Sequence, residues 1–72
     1  MKRLSDIHSG SACRVTWMIG KLAEDIRTFC RFEEDDTLFV LTRSENGVVV
    51  CDGDRKYAMD SVSASAIKVE PV

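Results

Sequence analysis

A chain of 72 residues, 44% of them hydrophobic, can form one domain over residues 1–72 around a single small core. A core of this size leaves little room for a deep internal substrate pocket. The formal net charge of −2, from 10 basic and 12 acidic residues, lacks the basic excess typical of nucleic-acid-binding proteins. No apolar stretch approaches the ~20 residues of a membrane span, and the basic N-terminus has no apolar segment behind it. We therefore expect a soluble cytoplasmic protein that binds no nucleic acid and is not membrane-embedded.

The three cysteines, Cys13, Cys30 and Cys51, are odd in number and widely spaced. The odd number and the wide spacing argue against a disulfide framework. Cys13 and Cys51 lie in predicted strands, where a reduced cysteine is expected to behave as a small buried hydrophobe.

The first predicted strand covers residues 12–19 and ends at a glycine. Cys13, Val15, Trp17 and Ile19 recur at period 2, which predicts that they share one buried face. Before this strand, residues 4–10 form a short segment with two apolar anchors and a turn.

A helical pattern follows over about residues 21–32. Its apolar residues recur at i, i+4, i+7 and i+8, and they are Leu22, Ile26, Phe29 and Cys30. The spacing predicts an amphipathic helix of three turns. Arg27 and Arg31 lie near its end, where basic side chains interact favourably with the helix dipole.

Residues 33–36 are all acidic and show no apolar periodicity. We expect a solvated connection between the helix and the strands that follow it.

Three strands follow in close succession, separated by Asn46-Gly47 and Asp52-Gly53. Both dipeptides supply the positive φ angles that tight hairpins require, so the pattern predicts a three-stranded antiparallel meander. Asp60 then has the character of an N-cap for one helical turn. Residues 66–70 alternate as a last strand, which Pro71 ends. Five short strands with one apolar face and one helix after the first strand favour a small, partly open, mainly β barrel.

The pattern resembles the FeoA-like family of small cytoplasmic SH3-like barrels. The family opens with a leucine, an apolar residue and a glycine, here Leu4, Ile7 and Gly10, and it places a helix after its first strand. It ends with alanine, isoleucine and valine at a set spacing and often with proline and valine, as residues 64–72 do here.

The resemblance departs at one connection. The family usually has leucine-glycine at the helix end and proline-glycine before the next strand, whereas this chain has residues 30–36 of the sequence CRFEEDD. Glycine adopts the left-handed conformation of a helix C-cap at low conformational cost, and proline-glycine defines a tight turn. We therefore expect a longer, looser and strongly negative connection in a divergent member.

The resemblance implies a non-enzymatic accessory or regulatory role in ferrous iron transport, through contact with the cytoplasmic GTPase region of the membrane ferrous iron permease. The alternative is a free-standing SH3-like interaction or regulatory module without an iron-transport role. For such a module, binding of a transition metal ion is an open alternative. No cofactor is expected beyond weak or transient Fe²⁺. A monomer or a weak homodimer is expected, since an exposed strand edge can add a strand.

Other chemistries have weaker signals. His8, Cys13, Cys30 and Cys51 form no local metal-binding spacing. His8 near Ser9 and Ser11 does not constitute a catalytic triad, so no enzyme is predicted. Tyr57 beside Arg55 and Lys56 is the best local case for nucleic-acid stacking.

Partner binding is thus the leading class of function, with no catalytic, metal or cofactor residue assigned. The predicted contact patch places two arginines one helical turn apart and four acids directly after them, and such a dipolar patch can orient a partner. Its residues are Arg27, Arg31, Glu33, Glu34, Asp35 and Asp36.

Overall fold

A computed structural model describes residues 2–18 and 20–72, apart from the side chains of Leu22 and Phe29. The predicted inward position of Ile19 and the contribution of Leu22 and Phe29 to the helical stripe therefore lie outside the described part. The elements in chain order are β1 (Lys2–Arg3), a 3-10 helix (Leu4–Asp6), β2 (Ala12–Met18), α1 (Lys21–Phe29), β3 (Thr37–Ser44), β4 (Gly47–Asp52), β5 (Arg55–Asp60), α2 (Ser61–Ser65) and β6 (Ile67–Pro71).

The strands form one sheet in the order β1-β6-β2-β3-β4-β5, and every neighbouring pair is antiparallel. The predicted mainly β, SH3-like barrel with a helix after its first long strand is confirmed. The two-residue β1, which pairs with β6, adds one short strand to the five expected. The sheet ends at β1 on one side and at β5 on the other, so the barrel is open between these two edges.

The core lies between the sheet and the helical segments, because its residues come from β2 to β6 and also from the 3-10 helix, α1 and α2. Its members are apolar and almost fully buried. Among the described residues, the largest are Phe32, Leu4, Met18, Ile26, Leu38 and Ile67.

A bulge in β2 changes which face Trp17 occupies. The pairing of β2 with β6 shifts register between Val15 and Trp17. Cys13 and Val15 are fully buried as predicted, but Met18 takes the next inward position and Trp17 is 40% exposed. The prediction for Trp17 is wrong because a bulge inserts one residue and reverses the alternation beyond it.

The helix is shorter than its apolar pattern indicates. α1 ends at Phe29, and Cys30 is extended, with φ −108° and ψ 143°. Cys30 and Phe32 are buried on either side of exposed Arg31, which is a strand-like alternation. Arg31 is therefore not one helical turn from Arg27, since the chain has left the helix before it.

The two hairpin turns differ in the role of their glycines. Gly53 has φ +64°, as the Asp-Gly prediction requires. Among the described residues, neither Asn46 nor Gly47 has a positive φ. Gly47 is required for a different reason: a Cβ atom there would overlap the carbonyl oxygen of Met59 and lie 3.1 Å from the Cα of Asp60.

Asp60 caps α2 as predicted. Its carboxylate accepts a hydrogen bond from the backbone N–H of Ser63 at 2.7 Å. The predicted last strand is also confirmed, and Ile67 and Val69 are buried within it.

The cap makes a pH-dependent contribution to stability. The hydrogen bond from the Ser63 backbone N–H lowers the pKa of the Asp60 carboxyl below its ordinary value of 3.8. A group whose pKa is lower in the folded state stabilises the fold above its unfolded pKa, and that stabilisation is lost as pH falls through the folded pKa. Urea midpoints measured from about pH 6 to about pH 2.5 should therefore fall more steeply for the wild type than for Asp60→Asn, which caps without titrating. Parallel pH profiles for the two proteins would contradict this.

Candidate functional site

The acidic connection forms a tight turn. The N–H of Asp36 donates to the carbonyl of Glu33 at 3.2 Å, and the carboxylate of Asp36 accepts from the N–H of Glu33 at 2.8 Å. The expectation of a loose connection is therefore wrong, although the connection is long because α1 ends at Phe29 and β3 begins at Thr37. An aspartate side chain can bond to nearby backbone N–H groups and close a turn without proline or glycine.

Asp35 occupies the position at which such turns usually have glycine. Its φ is +75°, the only positive φ of a non-glycine residue in the described part of the chain. Two bonds to β2 hold this conformation: Asp35 N–H donates to the Val15 carbonyl at 2.7 Å, and Val15 N–H donates to the Asp36 carbonyl at 2.8 Å. The turn is thus fastened to the middle of β2, which compensates for an unfavourable backbone angle.

Arg14 connects the turn to the last strand. Its guanidinium lies 3.3 Å from a carboxylate oxygen of Asp35 and 2.9 Å from one of Glu70. β2 lies between β3 and β6 in the sheet, and Arg14 is paired with Thr37 and with Glu70. Arg14 and Glu70 could not be recognised from the sequence as members of this surface, because Arg14 lies 21 residues from Asp35 and 56 residues from Glu70 along the chain.

The other predicted patch residues lie around the same turn. Arg27 of α1 makes an ion pair of 3.6 Å with Glu34. Arg31 is exposed, and its backbone N–H donates to the Tyr57 hydroxyl at 3.3 Å. The structure thus joins Arg27 to Glu34 and Arg14 to Asp35 by ion pairs.

We name this region the acidic turn surface. Its residues are Arg14, Arg27, Arg31, Glu33, Glu34, Asp35, Asp36 and Glu70. Five carboxylates against three guanidinium groups give it an excess of negative charge. Its three ion pairs are all solvent-exposed. Exposed pairs are individually weak, so a partner's charged groups can replace them at little cost.

The soft metal ligands do not converge. Within residues 2–18 and 20–72, no group of three His, Cys, Asp or Glu side chains is placed to hold a metal ion. Cys13 and Cys30 are buried free thiols, and burial raises the pKa of each. Cys51 is only half-buried, on the outer face of β4, and its thiol donates to the Gly53 carbonyl at 2.8 Å. The expectation of burial thus holds for Cys13 and not for Cys51.

Of the remaining candidate groups, Ser9 and Tyr57 make structural contacts and His8 lies on the surface. The Ser9 hydroxyl accepts a hydrogen bond from the backbone N–H of Arg43 at 2.8 Å. Exposed His8 lines a surface depression of about 200 Å³ with Lys2, Asp6 and Ile7. Tyr57 turns its ring inward, edge-to-face on Phe32 with centroids 5.8 Å apart, and so does not offer it for base stacking. In the described part of the chain, no helix has the length and apolar character needed to cross a membrane.

Comparison with known proteins identifies the fold through solved structures. No protein-family model matches the chain, and no curated protein matches it at a significant level. The crystal structure of an iron uptake regulatory protein, FeoA, is similar with a TM-score of 0.85 and 18% identity, over 97% of this chain and 96% of that one. The solution structure of iron(II) transport protein A from Clostridium thermocellum has a TM-score of 0.81 and 22% identity, over 97% of this chain and 45% of that one.

A manganese-dependent transcriptional repressor shares the fold as well. Its TM-score is 0.86 at 20% identity, and the match covers 99% of this chain but 41% of the repressor. The resemblance to FeoA-like proteins is thus confirmed at the level of the fold.

Proposed function

We propose that this chain is a non-enzymatic, cytoplasmic accessory or regulatory protein of ferrous iron transport that acts by contact with the cytoplasmic region of a membrane ferrous iron permease. The observation that carries the proposal is the match to FeoA, which extends over nearly the whole of both chains. Two proteins with this fold have iron uptake or iron(II) transport in their names. A fold can host several functions, so the contact surface has to be argued from the residues themselves.

The acidic turn surface is the best candidate for that contact. Two backbone hydrogen bonds fasten its turn to β2, and all of its charged side chains except that of Asp36 are exposed. A rigid backbone limits the entropy lost on binding, and exchangeable ion pairs let a complementary basic surface orient the complex. The partner surface should therefore be rich in lysine and arginine.

A second candidate is a regulatory module of the kind found within larger proteins. The match to the manganese-dependent repressor favours it, because this chain corresponds to less than half of that protein. In this role the domain would bind another protein or a transition metal and would have no part in iron transport.

The experiment measures binding of the purified chain to the cytoplasmic region of the ferrous iron permease from the same genome. Isothermal titration calorimetry compares the wild type with Glu34→Lys, which reverses one charge on the acidic turn surface. We expect Glu34→Lys to weaken binding about tenfold and higher salt to weaken the wild-type complex. Glu45→Lys, an exposed acid in the β3–β4 turn, is the matched control and should bind as the wild type does.

Three outcomes would count against the proposal. No binding by the wild type at low salt would remove the iron-transport role and favour the regulatory module. Equal weakening by Glu34→Lys and Glu45→Lys would remove the acidic turn surface as the contact. Tight, stoichiometric binding of Fe²⁺ or Mn²⁺ by the chain alone would favour the metal-dependent alternative.

A further inference from the structure

β5 has an unpaired edge that plays no part in the proposed function. β5 is the last strand of the sheet, and among residues 2–18 and 20–72 it pairs with β4 alone. A two-residue turn joins these strands, so Asp52 and Arg55 form a hydrogen-bonded pair, and hydrogen-bonded pairs alternate from there along the ladder. Lys56, Ala58 and Asp60 fall in the other class of pair. Their backbone N–H and C=O groups therefore point away from β4, toward the open edge.

The same three residues also share a side-chain face. Lys56, Ala58 and Asp60 are exposed, whereas Tyr57 and Met59 between them face the core. Along the edge the outer face thus has a cation, a small apolar residue and an anion in order. When two copies of this strand pair antiparallel about Ala58, Lys56 of each copy lies opposite Asp60 of the other.

We propose that two copies of this chain associate through their β5 strands, antiparallel across a two-fold axis at Ala58, with Lys56 of each copy opposite Asp60 of the other. In this register the outward-pointing residues of one strand meet those of its partner. The Ala58 N–H groups then donate to the Ala58 carbonyls across the axis. Asp60 N–H donates to the Lys56 carbonyl on each side, which extends one sheet through both copies.

Charge selects this register among the symmetric alternatives. Moving the axis to Lys56 would place two lysines opposite each other, and like charges directly opposite destabilise a strand pair. Moving it to Asp60 would oppose two carboxylates. Centring the axis on Tyr57 or Met59 would remove the Lys56–Asp60 pairs. A lone edge lysine normally discourages strand addition, but here Asp60 of the second copy neutralises it.

The first test measures mass against concentration. Sedimentation equilibrium up to millimolar protein should show a monomer–dimer equilibrium that weakens as salt increases. Ala58→Arg brings two cations together on the axis and should weaken association at least tenfold. Ala58→Ser adds a small neutral side chain at the same exposed position and should dimerise as the wild type does. Thermal unfolding of each variant establishes that the monomer stays folded.

The second test reads the register directly by cysteine cross-linking, in a Cys51→Ser background that removes the half-exposed native thiol. In a hydrogen-bonded antiparallel pair the Cα atoms are about 5.5 Å apart, within the range that a disulfide spans. Ala58→Cys should therefore give a covalent dimer under mild oxidation. Lys56→Cys should not, because its two copies lie about 13 Å apart in this register.

Three results would overturn the proposed association. A monomer at millimolar concentration and low salt, without cross-linking at position 58, would overturn the proposal. So would a dimer that Ala58→Arg leaves intact. Cross-linking at position 56 but not at position 58 would show the like-charge register and would overturn the one proposed.

Discussion

Replacing Gly47 with alanine is expected to destabilise the domain by about 3 kcal/mol, near the upper end of the cost of overpacking. A Cβ atom at this position would overlap the Met59 carbonyl oxygen and come within 3.1 Å of the Asp60 Cα. Both are backbone atoms of the neighbouring strand, so they cannot move aside as the end of a flexible side chain can. Relief would require β4 and β5 to separate where they are paired. Urea unfolding followed by far-UV circular dichroism measures the loss.

Gly53→Ala is the matched control for this prediction. Gly53 has φ +64°, but nothing lies within 4 Å of a Cβ atom there. Its replacement should cost only the conformational penalty of a left-handed residue, about 1 kcal/mol. The sequence alone predicts similar losses of stability for the two replacements, because Asn46-Gly47 and Asp52-Gly53 are equivalent as turn signals. A Gly47→Ala protein as stable as Gly53→Ala would show that the close approach is not limiting.

Phe32→Ala is expected to leave the domain largely unfolded at 25 °C. Among the side chains that the structure describes, Phe32 is the largest that is fully buried, and its ring packs edge-to-face on Tyr57. Truncating a buried phenylalanine costs about 3–5 kcal/mol, through lost transfer energy and the cavity left behind. A core of this size supplies about 3–5 kcal/mol of net stability, so the two quantities are comparable. Circular dichroism without denaturant measures the folded fraction.

Phe39→Ala separates burial from residue type. Phe39 is 42% exposed on the outer face of β3, so its truncation should cost less than about 1 kcal/mol and leave the protein folded. Phe32→Leu, which keeps most of the volume, should recover most of the stability that Phe32→Ala loses. Equal losses for Phe32→Ala and Phe39→Ala would contradict the assignment of Phe32 to the core.

In two places where the sequence interpretation failed, a contact distant along the chain was responsible. The alternation of β2 predicted an inward Trp17, but pairing with β6 introduces a bulge that puts Met18 inside. The stripe through Cys30 continued the helical pattern, but the chain turns extended there and buries Phe32 against Tyr57. In both cases burial against a distant strand prevailed over the local pattern.

The acidic connection shows the same limit for the candidate site. Its composition suggested a loose loop, since proline and glycine are absent. The turn is nevertheless tight, because the Asp36 carboxylate bonds the Glu33 N–H and β2 holds Asp35 at φ +75°. The residues 33–36 and Arg27 could be selected from sequence as exposed and charged. Arg14 and Glu70 could not, because only the order of β6, β2 and β3 in the sheet brings them to the turn.

The sequence by itself determined the features that depend on neighbouring residues. These are the number and order of the main strands, the helix after the first of them, the Gly53 turn and the Asp60 cap, and each follows from periodicity or from a bond spanning a few residues. Tertiary structure alone decided the β2 bulge, the end of α1, the need for glycine at position 47, the place of Arg14 and Glu70 in the acidic turn surface and the open edge of β5. Each of these depends on which strands become neighbours, a choice made by burying the core as a whole rather than by any local segment.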